Sequence, residues 1–265
     1  MSGIVRVDLG FDDGAPANGT LGTADLLELY APVDRARPGI RVNFIQSLDG
    51  SATVADLSGA LGSPADKAVF DVLRAVCDVV LVGAGTARAE GYGALTVGDT
   101  FVSWRRAAGL SDHPAMALVS GRLDLDPADE LFTKAPTPPL VFTTGSAPLD
   151  ARERLAGVAT VIDAGDERGR VDPALVRAEL LRRGLAQVLC EGGPSLFGGL
   201  IAADLVDEFC LTLSPMLEGG TGPRIATAPG TPAPAVPRTM QLAHLLRSDS
   251  MLLTRWVRPR EGADD

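Results

Sequence analysis

Short runs of uninterrupted apolar residues alternate along this chain with stretches whose apolar residues recur every three or four positions. Residues 40–46 are rich in Val, Ile and Phe and read as a strand that Asp49-Gly50 turns. Ser63 caps the next element and Pro64 fits its first turn. Val69, Phe70, Leu73 and Val76 then share one face, so a helix follows. Residues 79–82 are apolar throughout, the mark of a strand covered on both faces. The runs at 116–119, 140–143, 160–162 and 188–190 have the same character. A helix over 173–183, ended by Gly184, separates the last two, and another is predicted over 194–203. Late strands over 208–214, 239–246 and 251–257 close the pattern.

Strands alternating with helices imply an α/β fold with a mostly parallel central sheet and helices on both faces. The final strand run implies an antiparallel C-terminal edge. Residues 1–22 read as a loose leader. A short helix over 24–30 follows, with Thr23 as its cap, Asp25 early in it and Pro32 ending it. Residues 218–237 form a long loop of Gly, Pro and Thr. No composition break marks a two-domain linker, and no internal repeat is present.

Composition narrows the function classes. With 265 residues, 46% hydrophobic and 22% charged, the chain has an ordinary globular profile and not a disordered one. The 30 glycines lack a period of three, which excludes collagen. No apolar run is long enough to cross a bilayer, and no charged start precedes a long apolar stretch. Basic residues number 24 and acidic residues 34, a net charge of −10 with no basic block, which argues against non-specific nucleic-acid binding. Cys77, Cys190 and Cys210 are widely spaced in or beside apolar segments, with no C-x-x-C pair. They read as reduced core thiols of a cytoplasmic protein. His113 and His244 are too few for a histidine-based metal site or a Ser-His-Asp triad, so no metal is expected.

Two glycine turns are the main candidates for chemistry. Val82-Gly83-Ala84-Gly85-Thr86 directly follows a buried strand, and Glu191-Gly192-Gly193-Pro194-Ser195 joins another strand to a helix start. Glycine lets the backbone approach a phosphate, and a following helix aims its free N–H groups at the anion. Ligands of open α/β sheets collect at such strand ends. The pattern is neither the G-x-G-x-x-G fingerprint, since Arg88 stands where the third glycine would be, nor a P-loop, since no Gly-Lys-Ser/Thr occurs.

Segments 43–50, 62–67, 73–75, 78–86 and 191–194 together resemble the reductase domain of bacterial riboflavin biosynthesis, which has the three-layer dihydrofolate reductase-like fold. The resemblance covers about residues 38–257. It implies a leader over 1–37, a reductase domain over 38–258 and a frayed tail over 259–265. The zinc deaminase domain often fused ahead of it has no counterpart, since neither H-x-E nor P-C-x-x-C occurs.

The resemblance implies NADPH as hydride donor. Gly83, Gly85, Thr86, Gly192, Gly193, Pro194 and Ser195 match the turns that hold it. Ser120 and Arg122 are a candidate grip on its 2′-phosphate, and Thr143 and Thr144 could line the adenosine. On the substrate side, Asn43, Ser63, Arg74 and Glu191 match positions that contact a phosphoribosylamino-pyrimidine. Asp49 and Glu191 are the candidate catalytic acids, with water as a third proton source. A homodimer is also implied.

The departures fall on the substrate side. Where the family carries Asp after the glycine turn, this chain has Glu90, followed by Gly91-Tyr92-Gly93. The family's Leu-Thr-x-Arg reads Leu95-Thr96-Val97-Gly98, so one phosphate-binding Arg is missing, with Arg88, Arg105, Arg106 or Arg224 as candidate replacements. Lys67 replaces another Arg. Three functions stay open: reduction of a phosphoribosylamino-pyrimidine of the 5-amino-6-(5-phosphoribosylamino)uracil type, reduction of dihydrofolate or another pterin-like ring, and non-catalytic nucleotide binding.

Overall fold

The computed structural model describes residues 3–8, 19–227 and 237–259. The chain opens with β1 (Ile4–Arg6), β2 (Thr20–Leu21) and α1 (Thr23–Tyr30), and continues through β3 (Gly39–Gln46) and α2 (Pro64–Val76) to β4 (Val79–Gly83). Short helices α3 (Ala84–Ala89) and α4 (Asp99–Ala107) lead to β5 (Ala115–Val119), α5 (Glu130–Thr133), β6 (Leu140–Thr143), α6 (Leu149–Leu155) and β7 (Thr160–Asp163). Then come α7 (Pro173–Arg182), β8 (Gln187–Cys190), α8 (Pro194–Ala202), β9 (Glu208–Leu213), β10 (Gln241–Ser248) and β11 (Met251–Val257).

All eleven strands join one sheet, in the order β2-β1-β10-β11-β9-β3-β8-β4-β5-β6-β7. From β9 to β7 every pair is parallel, and β11, β10, β1 and β2 are antiparallel additions. The alternation along β4 shows why this makes three layers. Val80 and Val82 face a core shared with α1, α2, α3 and α6, whereas Val79 and Leu81 face one shared with α7 and α8. All four are at most 1% exposed, as a strand covered on both faces requires. The predicted strands and helices α2, α7 and α8 therefore form as expected, with β10 displaced two residues from the predicted 239–246.

The leader differs from its expected looseness. Ile4–Arg6 forms a strand because Val5 and Arg6 find register with Arg247 and Leu246 of β10. Leu26, Leu27 and Tyr30 bury α1 against the core. Its cap is Gly22, whose N–H donates to Asp25 Oδ2 at 2.7 Å, so Thr23 sits one position inside the helix. Residues 228–236 of the long loop and 260–265 of the expected tail lie outside the described residues.

Among the elements not read from sequence, α4 matters most. Its Arg105 is fully buried and closes the C-terminal end of α2. The guanidinium donates to the carbonyls of Ala75 at 2.8 Å, Cys77 at 2.7 Å and Ser111 at 2.7 Å. Those α2 carbonyls would otherwise lack partners. The three cysteines are buried and free, and burial pushes the Cys77 and Cys190 thiols up to about 12 and Cys210 to about 11. No helix among the described residues is long and apolar enough to cross a membrane.

His244 of β10 packs edge-on to the Tyr30 ring at 4.9 Å, with Nε2 buried and without a hydrogen-bond partner. Burial, then the charges of Arg255, Arg6 and Arg41, hold its pKa down to about 3; Glu208 opposes them. The unfolded chain takes a proton at this position near pH 6.5, and the folded chain refuses it until about pH 3. Stability from this site is thus full above pH 6.5 and declines as pH falls toward 3. Between pH 6.5 and pH 5, above the titration of ordinary carboxylates, the expected loss is about 2 kcal/mol. Denaturant titrations at the two pH values check it, and His244→Phe is expected to flatten the difference.

Candidate active site

The two glycine turns follow β4 and β8, which are sheet neighbours with Leu81 opposite Cys190. The turns therefore meet. Gly83 N–H donates to the Gly192 carbonyl at 2.8 Å. Gly192 has φ +96, and a Cβ there would lie 2.8 Å from Phe44 Cζ; one on Gly193 would lie 2.3 Å from Thr86 Oγ1. Only glycine satisfies both the left-handed backbone and this close approach. Gly85 has open space where a side chain would be. No side chain caps α3 or α8, which leaves their first-turn N–H groups to be met from outside. Close backbone approach and free N–H donors are what an anionic nucleotide requires, so the turns fit such a cofactor.

Beside the turns opens a cavity of about 1050 Å³. Its walls gather Asn43 from β3, Ser63 and Arg74 from α2, Thr86 and Glu90 from α3 and its cap, and Glu191, Gly193 and Pro194 from the second turn. At its base Glu191 is held from two sides. Arg74 Nε and Nη2 donate to its two oxygens, each at 2.7 Å, and the Tyr92 hydroxyl donates to Oε2 at 2.7 Å. The Glu191 side chain is 1% exposed, so the fork supplies the partner that a buried carboxylate requires. The Arg74 guanidinium also lies over the Phe70 ring, 4.2 Å from its centroid. Burial acts to lower the Arg74 pKa, but the hydrogen bonds and charge of Glu191 outweigh it and raise it. Burial, then Glu191, raises the Tyr92 hydroxyl well above its usual range, so Tyr92 remains a donor.

Comparison with known proteins decides the family. The family model for the RibD C-terminal domain matches residues 38–254. The chain belongs to the RibD C-terminal domain family. It is a reductase of the riboflavin-biosynthesis type, and this implies a nicotinamide nucleotide as cofactor. The chain is 30% identical to 2,5-diamino-6-ribosylamino-4(3H)-pyrimidinone 5′-phosphate reductase of Methanothermobacter thermautotrophicus over 71% of its own length and 82% of that protein. A pyrimidine reductase-like protein from Corynebacterium diphtheriae superposes with TM-score 0.79 at 26% identity, covering 91% of this chain and all (100%) of that one. The deaminase/reductase of Thermotoga maritima shares the fold, with TM-score 0.63 at 19% identity over 85% of this chain and 58% of that one.

Within this RibD-type reductase several expected site residues have other duties. Asp49 does not line the cavity. Its carboxylate ties the β3 turn to the loop after β9, accepting from Ser47 Oγ, from Gly219 N–H at 2.8 Å and from Glu218 N–H at 3.2 Å. The Ser47 bond and then these backbone N–H groups hold its pKa at about 2, so it is ionised at neutral pH and has no proton to give. Ser63 reaches the cavity but also caps α2, accepting from Asp66 N–H at 3.2 Å. Glu90 Oε1 accepts from Ser58 N–H at 2.9 Å and so fixes the loop on the facing wall.

At the far strand ends, Ser120 Oγ accepts from Leu123 N–H at 3.0 Å, and the buried Thr143 hydroxyl reaches the Gly121 carbonyl at 3.5 Å. Thr144 pairs with Ser146 at 2.9 Å, and Ser195, which is exposed, faces Thr227 Oγ1 at 3.3 Å. Ser120, Thr143 and Thr144 therefore shape turns, and it is exposed Arg122 that those turns present. Of the candidate replacements for the missing arginine, Arg88 is paired with Asp124, Arg106 with Asp112, and Arg105 is buried under α2. Arg224 is exposed beside Pro223, a cavity residue. Sequence reasoning assigned no role to Tyr92 or Asp66. Tyr92 lies in Gly91-Tyr92-Gly93, where the chain departs from the family, and Asp66 in segment 62–67, which carries the resemblance.

Proposed function

We propose that this chain reduces a phosphoribosylamino-pyrimidine with NADPH, in the manner named for its Methanothermobacter relative. The observation that carries the reading is the contact of the two glycine turns at the mouth of a cavity floored by the Arg74–Glu191–Tyr92 cluster. The nicotinamide, when bound, supplies a hydride to C1′ of the ribosyl group, which opens to a ribityl chain. This chain's residues provide the alignment, and holding two reactants in register is a large part of such a rate. Glu191 acts as a positioning residue, because Arg74 and Tyr92 occupy its oxygens. The freed ring oxygen takes its proton from water, since Asp49 is ionised and lies off the cavity. Lys67, a cavity residue paired with Asp71, and Arg224, exposed beside the lining residue Pro223, are the cations offered to the substrate phosphate. The reductase unit is residues 38–258, and the working form is a cytoplasmic homodimer.

The test mixes purified protein, NADPH and the diaminopyrimidinone phosphate and follows the reduced-nicotinamide absorbance. Turnover supports the reading, and its absence removes it. Arg122 is the proposed grip on the 2′-phosphate. Arg122→Ala is therefore expected to raise KM for NADPH about 10–100-fold, the worth of a charge-assisted bond, and to leave KM for NADH unchanged. A second reading, reduction of a pterin-like ring such as dihydrofolate, is favoured by one observation: Arg74, the less exposed of the two cations that line the cavity, spends its Nε and Nη2 donors on Glu191. The same assay with dihydrofolate tests it.

A further inference from the structure

One carboxylate of the cavity has no duty in the reaction proposed above. Asp66 is the third residue of α2, next to the Ser63 cap, and lines the cavity wall with Gly62 and Phe70. Among the described residues it forms no ion pair. Its neighbour Lys67 is turned to Asp71, with Nζ 2.7 Å from both carboxylate oxygens. The nearest guanidinium of the cavity, that of Arg74, is forked onto Glu191. Burial raises the Asp66 pKa, and a hydrogen bond with Thr212 offsets part of that rise. A half-buried carboxylate that faces a ligand cavity without a cation is an acceptor pair waiting for donors. The N-terminal end of α2 favours negative charge at this position but saturates neither oxygen's lone pairs.

We propose that Asp66 selects the pyrimidine ring by its 2-position, taking a 2-amino-4(3H)-pyrimidinone in preference to the 2-oxo ring of a uracil. The proposal rests on the pyrimidine-reductase reading above and names the substrate class of the same cavity. In the 2-amino ring, N3–H and the 2-NH2 group are adjacent donors on one edge. Two carboxylate oxygens accept both, in the parallel geometry of an arginine fork. In uracil the same edge offers N3–H and the O2 acceptor, and O2 would face an oxygen with no proton between them. A site built on such a pair discriminates strongly, because the wrong ring leaves buried polar atoms unpaired. A pterin carries the same 2-amino-4-oxo edge, so the residue would admit it equally.

The experiment uses the full chain with NADPH and two substrates that differ only at C2, the 2,5-diaminopyrimidinone phosphate and its 5-aminouracil counterpart. Wild type is expected to favour the 2-amino compound about 10–100-fold in kcat/KM, with the difference carried by KM. Asp66→Asn keeps the shape and offers one acceptor and one donor, the complement of the uracil edge, so the preference is expected to reverse. Asp66→Ala is expected to erase it. Calorimetric binding of the two compounds without NADPH reads the same ratio independently of turnover. Unequal binding with no turnover of either would sink the proposed reaction and leave the role of Asp66 standing. Equal binding by wild type, or a ratio that Asp66→Asn leaves unchanged, overturns the role of Asp66.

Discussion

Arg74→Ala is expected to cost about 3–5 kcal/mol of stability and at least about 100-fold in kcat/KM. The stability loss comes from what is left behind. Glu191, with its side chain 1% exposed, would keep only the Tyr92 hydroxyl as partner and would be a buried carboxylate without its counter-charge. The activity loss follows because Glu191 and Tyr92 form the base of the cavity and would lose their fixed geometry. The double substitution Arg74→Met with Glu191→Gln separates the two effects. It removes both charges, and a neutral pair of similar volume is often as stable as a buried ion pair. Thermal melts should recover most of the single-variant loss, whereas turnover should stay low. A double variant no more stable than Arg74→Ala would show that the fork is not what stabilises this corner.

Arg105→Ala is the second large effect. The side chain has no exposed surface, and its removal takes the donor from three carbonyls at once, two of them at the end of α2. Each buried acceptor left without a donor costs about 1–3 kcal/mol, and the two at the end of α2 are buried, so a total of about 3–5 kcal/mol is expected. At about 2–4 °C per kcal/mol for a chain of this size, the melting temperature should fall by roughly 10 °C. Arg105→Lys should recover only part, because one ammonium cannot replace a planar fork that reaches three carbonyls. Unchanged melting of Arg105→Ala would refute the clamp. Arg74 lies on the same helix, so α2 is fixed at its C-terminal end by one arginine and at the cavity by another.

These two arginines also show where sequence reading stops. The strands were legible because burial on both faces demands unbroken apolar runs, as in β4 and β6. Helix α2 was legible because its cap, its early proline and its apolar stripe agree. By contrast, α4 carries an arginine on its buried face, which hides its amphipathic pattern, and α6 begins with Leu149 at 70% exposure. Strand β1 is a strand only because β10, more than 230 positions later, runs beside it. At the site, residue types were legible but partnerships were not. Arg74 and Glu191 are 117 positions apart and Tyr92 and Glu191 are 99 apart, so nothing local announces the cluster. The tie made by Asp49 was not legible because an Asp-Gly turn signals only its own bend, and the loop it holds lies 169 positions on.

The antiparallel extension of the sheet bears on how copies of this chain behave toward one another. A long unpaired strand at a sheet margin is a template on which a second chain can add. Here one margin is β2, two residues long, and the other is β7, four residues long and ending at Asp163, which Arg152 holds. Neither presents enough backbone to recruit a neighbour. Without β1 and β2 that margin would be β10, eight residues long and partly apolar. The short N-terminal strands thus cover the Leu245–Arg247 end of β10 and shield that stretch from strand addition, far along the sheet from the glycine turns.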